Sequence, residues 1–138
     1  MSTPREFLEG IQAKIEGLGP FLRVWITPEL DIESVLQVPR FPMVIINDTG
    51  GSLNPHNQVL WNRTFSATIV DIKPRDHAGE AATLEILDLG DDLIDGLAYG
   101  TDYEIWYGND SDAASTRTNA GIMVVWKTYN FRYEIERS

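Results

Sequence analysis

The sequence predicts an α+β domain: a mainly antiparallel, twisted sheet with two helices packed on one face and long polar loops between strands. Two runs, Val59–Ile72 and Ile122 to the final serine, alternate apolar and polar residues with a period of two. Two others, near residues 4–18 and 80–97, repeat apolar residues every three or four positions. The order of elements lets both helices cover one side of an antiparallel sheet. At 138 residues the chain fits a single domain, 1–138, large enough to bury a core.

The opening helix carries its own start signal. Thr3 suits the N-cap, Pro4 the first helical position, and Glu6 completes a capping box. Phe7, Leu8, Ile11, Ile15 and Leu18 form its apolar stripe, and Gly17, Gly19 and Pro20 stop it. Phe21–Ile26 alternates as a short strand closed by Thr27 and Pro28. Glu29–Pro39 suits a short turn of helix or an irregular crossing. Phe41–Ile46 is an apolar run, expected as a buried central strand.

Asn47–Gln58 holds Asp48, two glycines, Asn54, Pro55 and further asparagines, a loop by composition. The long strand Val59–Ile72 puts Trp61, Arg63, Phe65, Ala67 and Ile69 on one face. Lys73–Gly79 is a charged turn, and Glu80–Leu97 a helix ended by Gly96. Thr101–Tyr107 is a short strand, Gly108–Gly121 a second polar loop, and the chain closes on the strand from Ile122. That strand sets Val125, Lys127, Tyr129, Phe131, Tyr133 and Ile135 on one face. Its length makes it the spine of an open sheet or an edge that another chain covers. Loops this long are usually functional or disordered, and these two would project from the body like fingers.

Charge and composition exclude much chemistry. Twenty-one acidic against 11 basic side chains give a net charge of −10. Such a chain gains nothing from counterion release at phosphates, so sequence-reading of nucleic acid is disfavoured. The absence of cysteine removes disulfides, thiolate metal sites and cysteine nucleophiles. No apolar run is long enough to span a bilayer, and Met1–Lys14 lacks an apolar signal core, so no membrane is expected.

No motif points to catalysis, a cofactor or a metal. His56 and His77 lie apart in polar segments, without metal spacing. Asp88, Asp91, Asp92 and Asp95 fail the calcium-loop pattern and fit the wet face of a helix. Asn109, Asp110 and Asp112 fit turn chemistry. The tryptophans at 25, 61, 106 and 126 fall in expected strands, by default as core. Trp25 shares a face with Arg23, Trp61 with Arg63 and Trp126 with Arg132, and such pairs are enriched at protein–protein hot spots.

Taken with the opening helix, the run Phe41-Pro42-Met43-Val44-Ile45-Ile46 and the strand led by Leu60-Trp61 set a pattern. The helix Leu84-Glu85-Ile86-Leu87-Asp88-Leu89 and the closing Lys127-Thr128-Tyr129-Asn130-Phe131-Arg132-Tyr133 complete it. This order resembles the tail terminator (tail completion, or tail-to-head joining) proteins of tailed bacteriophages. The resemblance implies a non-enzymatic virion protein of the tail and neck, assembled in the bacterial host cytoplasm. It implies a homo-hexameric ring that caps the tail tube, stops its polymerisation and joins it to the head.

Implied partners are further copies of the chain, the tail-tube protein and neck or head-completion proteins, with sheath protein a further candidate. DNA would pass through the ring without specific binding. The alternatives are another head–tail connector or neck protein, or a small ligand-binding or enzymatic domain. Candidate contact residues, drawn from the loops and tryptophan-bearing strands, are Asn47, Asp48, Asn54, His56, Trp61, Arg63, Arg75, Asn109, Asp110, Asp112, Arg117 and Arg132.

Overall fold

A computed structural model describes residues 3–28, 30–37, 40–99 and 105–136. Helix α1 spans Pro4–Glu16, and the Thr3 hydroxyl accepts a hydrogen bond from the Glu6 N–H at 3.2 Å, as the capping box requires. Such a cap contributes about 1 kcal/mol. Strand β1 is Arg23–Ile26, and helix α2 is Ile32–Gln37, opened by the Asp31 carboxylate accepting from the Glu33 N–H at 3.1 Å. Next come β2 (Met43–Asn54), β3 (Asn57–Pro74), α3 (Gly79–Ile94), β4 (Ile105–Asp110), β5 (Ala114–Arg117) and β6 (Ile122–Glu136). The expected strand residues Thr101–Glu104 lie outside the described residues, as do Glu29, Val38 and Pro39 of the crossing.

The six-stranded sheet runs β1-β2-β3-β6-β4, with β5 also on β6. β1 is parallel to β2, and the other pairings are antiparallel. β6 pairs with β3 from Ile122 to Glu136 on one side and with β5 and then β4 on the other. The closing strand is therefore the spine of the sheet. Both its edges are occupied within the chain, which removes it as an edge for a neighbour.

The core lies under α1 and α3, which share one face of the sheet. Phe7 stacks on Tyr133 with ring centroids 3.9 Å apart, and Phe65 stacks on Phe131 at 5.2 Å. The alternating register makes this possible, because Phe65 and Phe131 are direct cross-strand partners. Asp88, Asp91, Asp92 and Asp95 stand on the exposed side of the helix, as expected. α2 departs from the expected single helical layer. It packs on the opposite face, where Val35 meets Met43, Ile45, Val70 and Val124 beside Trp25 and Trp126.

Both expected loops are largely strand. Asn47–Asn54 continues β2, and the reversal is confined to Pro55 and His56. The glycines that suggested a loop instead build a β-bulge. Pairing shifts between Asp48 and Gly50, and Gly50 takes φ +97°, a conformation open to glycine. In Gly108–Gly121, β4 runs on to Asp110 and β5 follows along the same edge of β6. Together they form one interrupted strand bulged at Gly108, lying on the sheet where a projecting finger was expected.

Gly96 does not end its helix. It lies inside the π-helical turn Asp95–Tyr99 that continues α3 without a break, and a Cβ there would come within 2.5 Å of the Leu18 side chain. Its role is close packing of that turn on the end of α1.

Candidate functional site

β1 pairs only with Met43–Ile46, so beyond Ile46 the outer edge of β2 has no strand partner among the described residues. That edge runs from Asn47 to Asn54. At the step where β1 stops, a groove of about 340 Å³ opens, lined by Ile26, Thr27, Pro28, Ile46, Asn47 and Asp48. Proteins guard open edges with lysine, proline, bulges or short length. Of these guards the stretch carries the bulge between Asp48 and Gly50 but neither lysine nor proline, and its charged residue, Asp48, is held by Arg63 at 2.9 Å. The opposite edge differs, being broken between β4 and β5 and flanked by Asp110 and Asp112.

The sheet face away from α1 and α3 has two halves. One is apolar and lies under α2. The other is polar, carrying Asn47, Asn62, Thr64, Asn130, Arg132 and Glu134, and no described helix packs on it. At its centre a trough of about 300 Å³ is lined by Thr49, Thr64, Gly108, Asn109, Asn130, Phe131 and Arg132. Its shape has a specific origin. The bulge in β2 at Thr49 falls between the rungs Phe65–Phe131 and Thr64–Arg132, and the bulge in β4 at Gly108 falls between Phe65–Phe131 and Ser66–Asn130, so the two adjoin one common rung, Phe65–Phe131. Bulges bend their strands and increase local twist, and these two act on either side of that rung.

The trough's side chains are tied together. Thr49 donates its hydroxyl to that of Thr64 at 2.6 Å, and the Asn130 amide donates to the Asn109 carbonyl oxygen at 2.8 Å. The Arg132 guanidinium lies over the Trp106 ring, 4.7 Å from its centroid, and forms no ion pair among the described residues.

The expected contact residues do not converge on one site. Asp48, Trp61 and Arg63 meet on the helix-side face, where Arg63 also lies 5.6 Å over the Trp61 ring. Burial pulls the Arg63 guanidinium down, but Asp48 and Tyr133 outweigh it and leave its pKa raised. Asn54 and His56 lie at the hairpin turn, with the Asn54 side-chain Oδ1 accepting from the His56 N–H at 2.8 Å. Arg75 and Arg117 lie at the far end of the sheet, where Arg117 donates to the Arg75 carbonyl at 2.9 Å. Asn109 and Arg132 join the trough. Asp110 faces the buried Lys127 amine at 3.8 Å, and Asp112 is exposed beside it.

Sequence reasoning missed Thr49 and Trp106 as partners of this surface. It paired Arg132 with Trp126, whereas the cross-strand register sets it on Trp106. His77 is also more than a solvated loop residue, because its Nε2 sits 3.0 Å from Glu85. Lys73 bonds the same carboxylate, and these contacts hold Glu85 below its usual range.

Among the described residues no cluster of three acidic or histidine side chains is placed to hold a metal, and no helix is long and apolar enough to cross a membrane. The chain matches no protein-family model, and a search of curated proteins finds no similar sequence.

Proposed function

We propose that this protein is a non-enzymatic assembly unit that closes into a ring, in the manner of the phage tail terminators its element order resembles. The ring would cap a tail tube, stop its growth and present a surface to the neck. The observation that carries the reading is the bare outer edge of β2 from Asn47 to Asn54. A bare edge offers main-chain donors and acceptors to an incoming strand. Cyclic closure is head-to-tail, so this edge would meet a different surface of the next copy. The acidic balance fits a bore that DNA crosses without sticking.

The test uses light scattering and electron microscopy of the purified chain, with and without polymerising tube subunits. Ring-shaped oligomers that arrest tube growth are expected. Asn47→Lys with Ser52→Lys should leave the fold intact and abolish rings, because lysines guard the edge. A wild-type chain that stays monomeric at high concentration and leaves tube length unchanged sinks the proposal.

A further inference from the structure

The geometry points to a carboxylate-binding site in the trough between the two β-bulges, with Arg132 as its anchor. The inference is independent of ring formation.

Arg23 lies 4.6 Å over the Trp25 ring and Arg132 lies likewise over Trp106, and of the two Arg132 is the one that lines the trough. Its guanidinium carbon lies 4.7 Å from the centroid of the Trp106 ring, and no carboxylate stands within ion-pair distance of it among the described residues. In a chain of net charge −10 an unpaired, held cation is conspicuous. A guanidinium attracted to a ring keeps its N–H donors, and its planar fork matches the two oxygens of a carboxylate.

The rest of the trough supplies the second end of a ligand. The Asn130–Asn109 bond uses one donor and one acceptor, leaving the Asn109 amide N–H groups and the Asn130 carbonyl oxygen available. The Thr49–Thr64 pair likewise retains accepting capacity on Thr49. The volume of about 300 Å³ sits at the lower limit of small-molecule sites. The ligand chemistry is thus a short carboxylic acid whose other end carries hydrogen-bonding groups. It is supplied either as a free acid or as an acidic side chain of a protein.

Glu134 lies two residues from Arg132 on the same face, directly across from Asn62. Its negative charge opposes a second carboxylate nearby, and this gives the site a distinctive response to substitution.

The test is a titration of the whole protein, followed by backbone amide and arginine Nε–H chemical shifts. One arm uses glutarate and the other an acetylated, amidated Gly-Glu-Gly peptide. Saturable shifts centred on Thr49, Gly108, Asn109, Asn130 and the Arg132 side chain are expected. Arg132→Gln should weaken binding at least about tenfold, and Arg132→Lys should recover only part of it because the planar fork is lost. Glu134→Gln should tighten binding about twofold or more, and Arg5→Gln, on the distant helix α1, should change nothing. Tighter binding of glutarate assigns the site to free acids, and tighter binding of the peptide assigns it to a protein side chain. Absence of saturation, shifts spread evenly over all basic residues, or an unaltered affinity in folded Arg132→Gln overturns the inference.

Discussion

Single atoms decide how α3 sits on the sheet. At Gly90 the helix passes so close to β6 that an added Cβ would lie 1.9 Å from the Tyr129 hydroxyl oxygen and 2.3 Å from its ring carbon. Gly90→Ala should therefore destabilise the fold by about 2 kcal/mol, the usual scale of overpacking, read from urea unfolding. Tyr129→Phe should not rescue it, because the ring carbon itself still clashes, whereas Tyr129→Leu should recover part of the loss. The same phenol is pushed well above its ordinary pKa, first by burial and then by Asp110, Tyr107 and Asp91. Burial also raises Tyr133, against the pull of Arg63. A raised pKa means that the stabilisation is full below the unfolded value, about 10, and is lost as pH rises toward the folded one. The urea midpoint should hold to about pH 10 and then fall, less steeply in Tyr129→Phe. A midpoint independent of pH up to 11 in the wild type would contradict this, the upper limit lying about one unit above a free tyrosine.

At the scale of elements, β3 is fastened to α3 by an ionic knot. Lys73 bonds both Asp71 and Glu85, and His77 bonds Glu85 from the connecting turn. The Glu85 pKa is lowered, by Lys73 first and His77 next, so the contribution is present above about pH 4.3 and lost as pH falls through the folded value. Acid unfolding should begin with loss of α3 protection in hydrogen exchange, and Glu85→Gln should flatten the response between about pH 5 and 3. α1, β3, α3 and β6 were legible in the sequence because their apolar periods are long and α1 carries a capping box. The bulged segments were not, because Gly50, Gly51 and Gly108 read as punctuation while a neighbouring strand holds the backbone extended. The Arg132–Trp106 pair depends on register, and the face chosen by α2 depends on where the sheet is left bare. Neither is written in local pattern.

At the scale of the whole molecule, charge sets the conditions for association. Copies carrying −10 each repel before any edge can pair. Raising ionic strength shortens the screening length from about 30 Å at 0.01 M to about 8 Å at 0.15 M. Oligomers of the wild type should therefore grow with salt at fixed protein concentration, measured by light scattering. A salt-induced decline would mean that attraction between opposite charges, rather than edge pairing, drives assembly.

The position of β6 has a consequence for how the protein is made. β3 finds its second partner only in residues 122–136, and β4 and β5 find their sole strand partner there. During synthesis β3 emerges with one flank uncovered and β4 and β5 with both, and only β1, β2 and β3 can pair before β6 appears. The nascent sheet therefore waits half-built, vulnerable to chaperone capture or to pairing with another unfinished chain. The sheet is completed only when β6 enters between β3 on one side and β4 and β5 on the other.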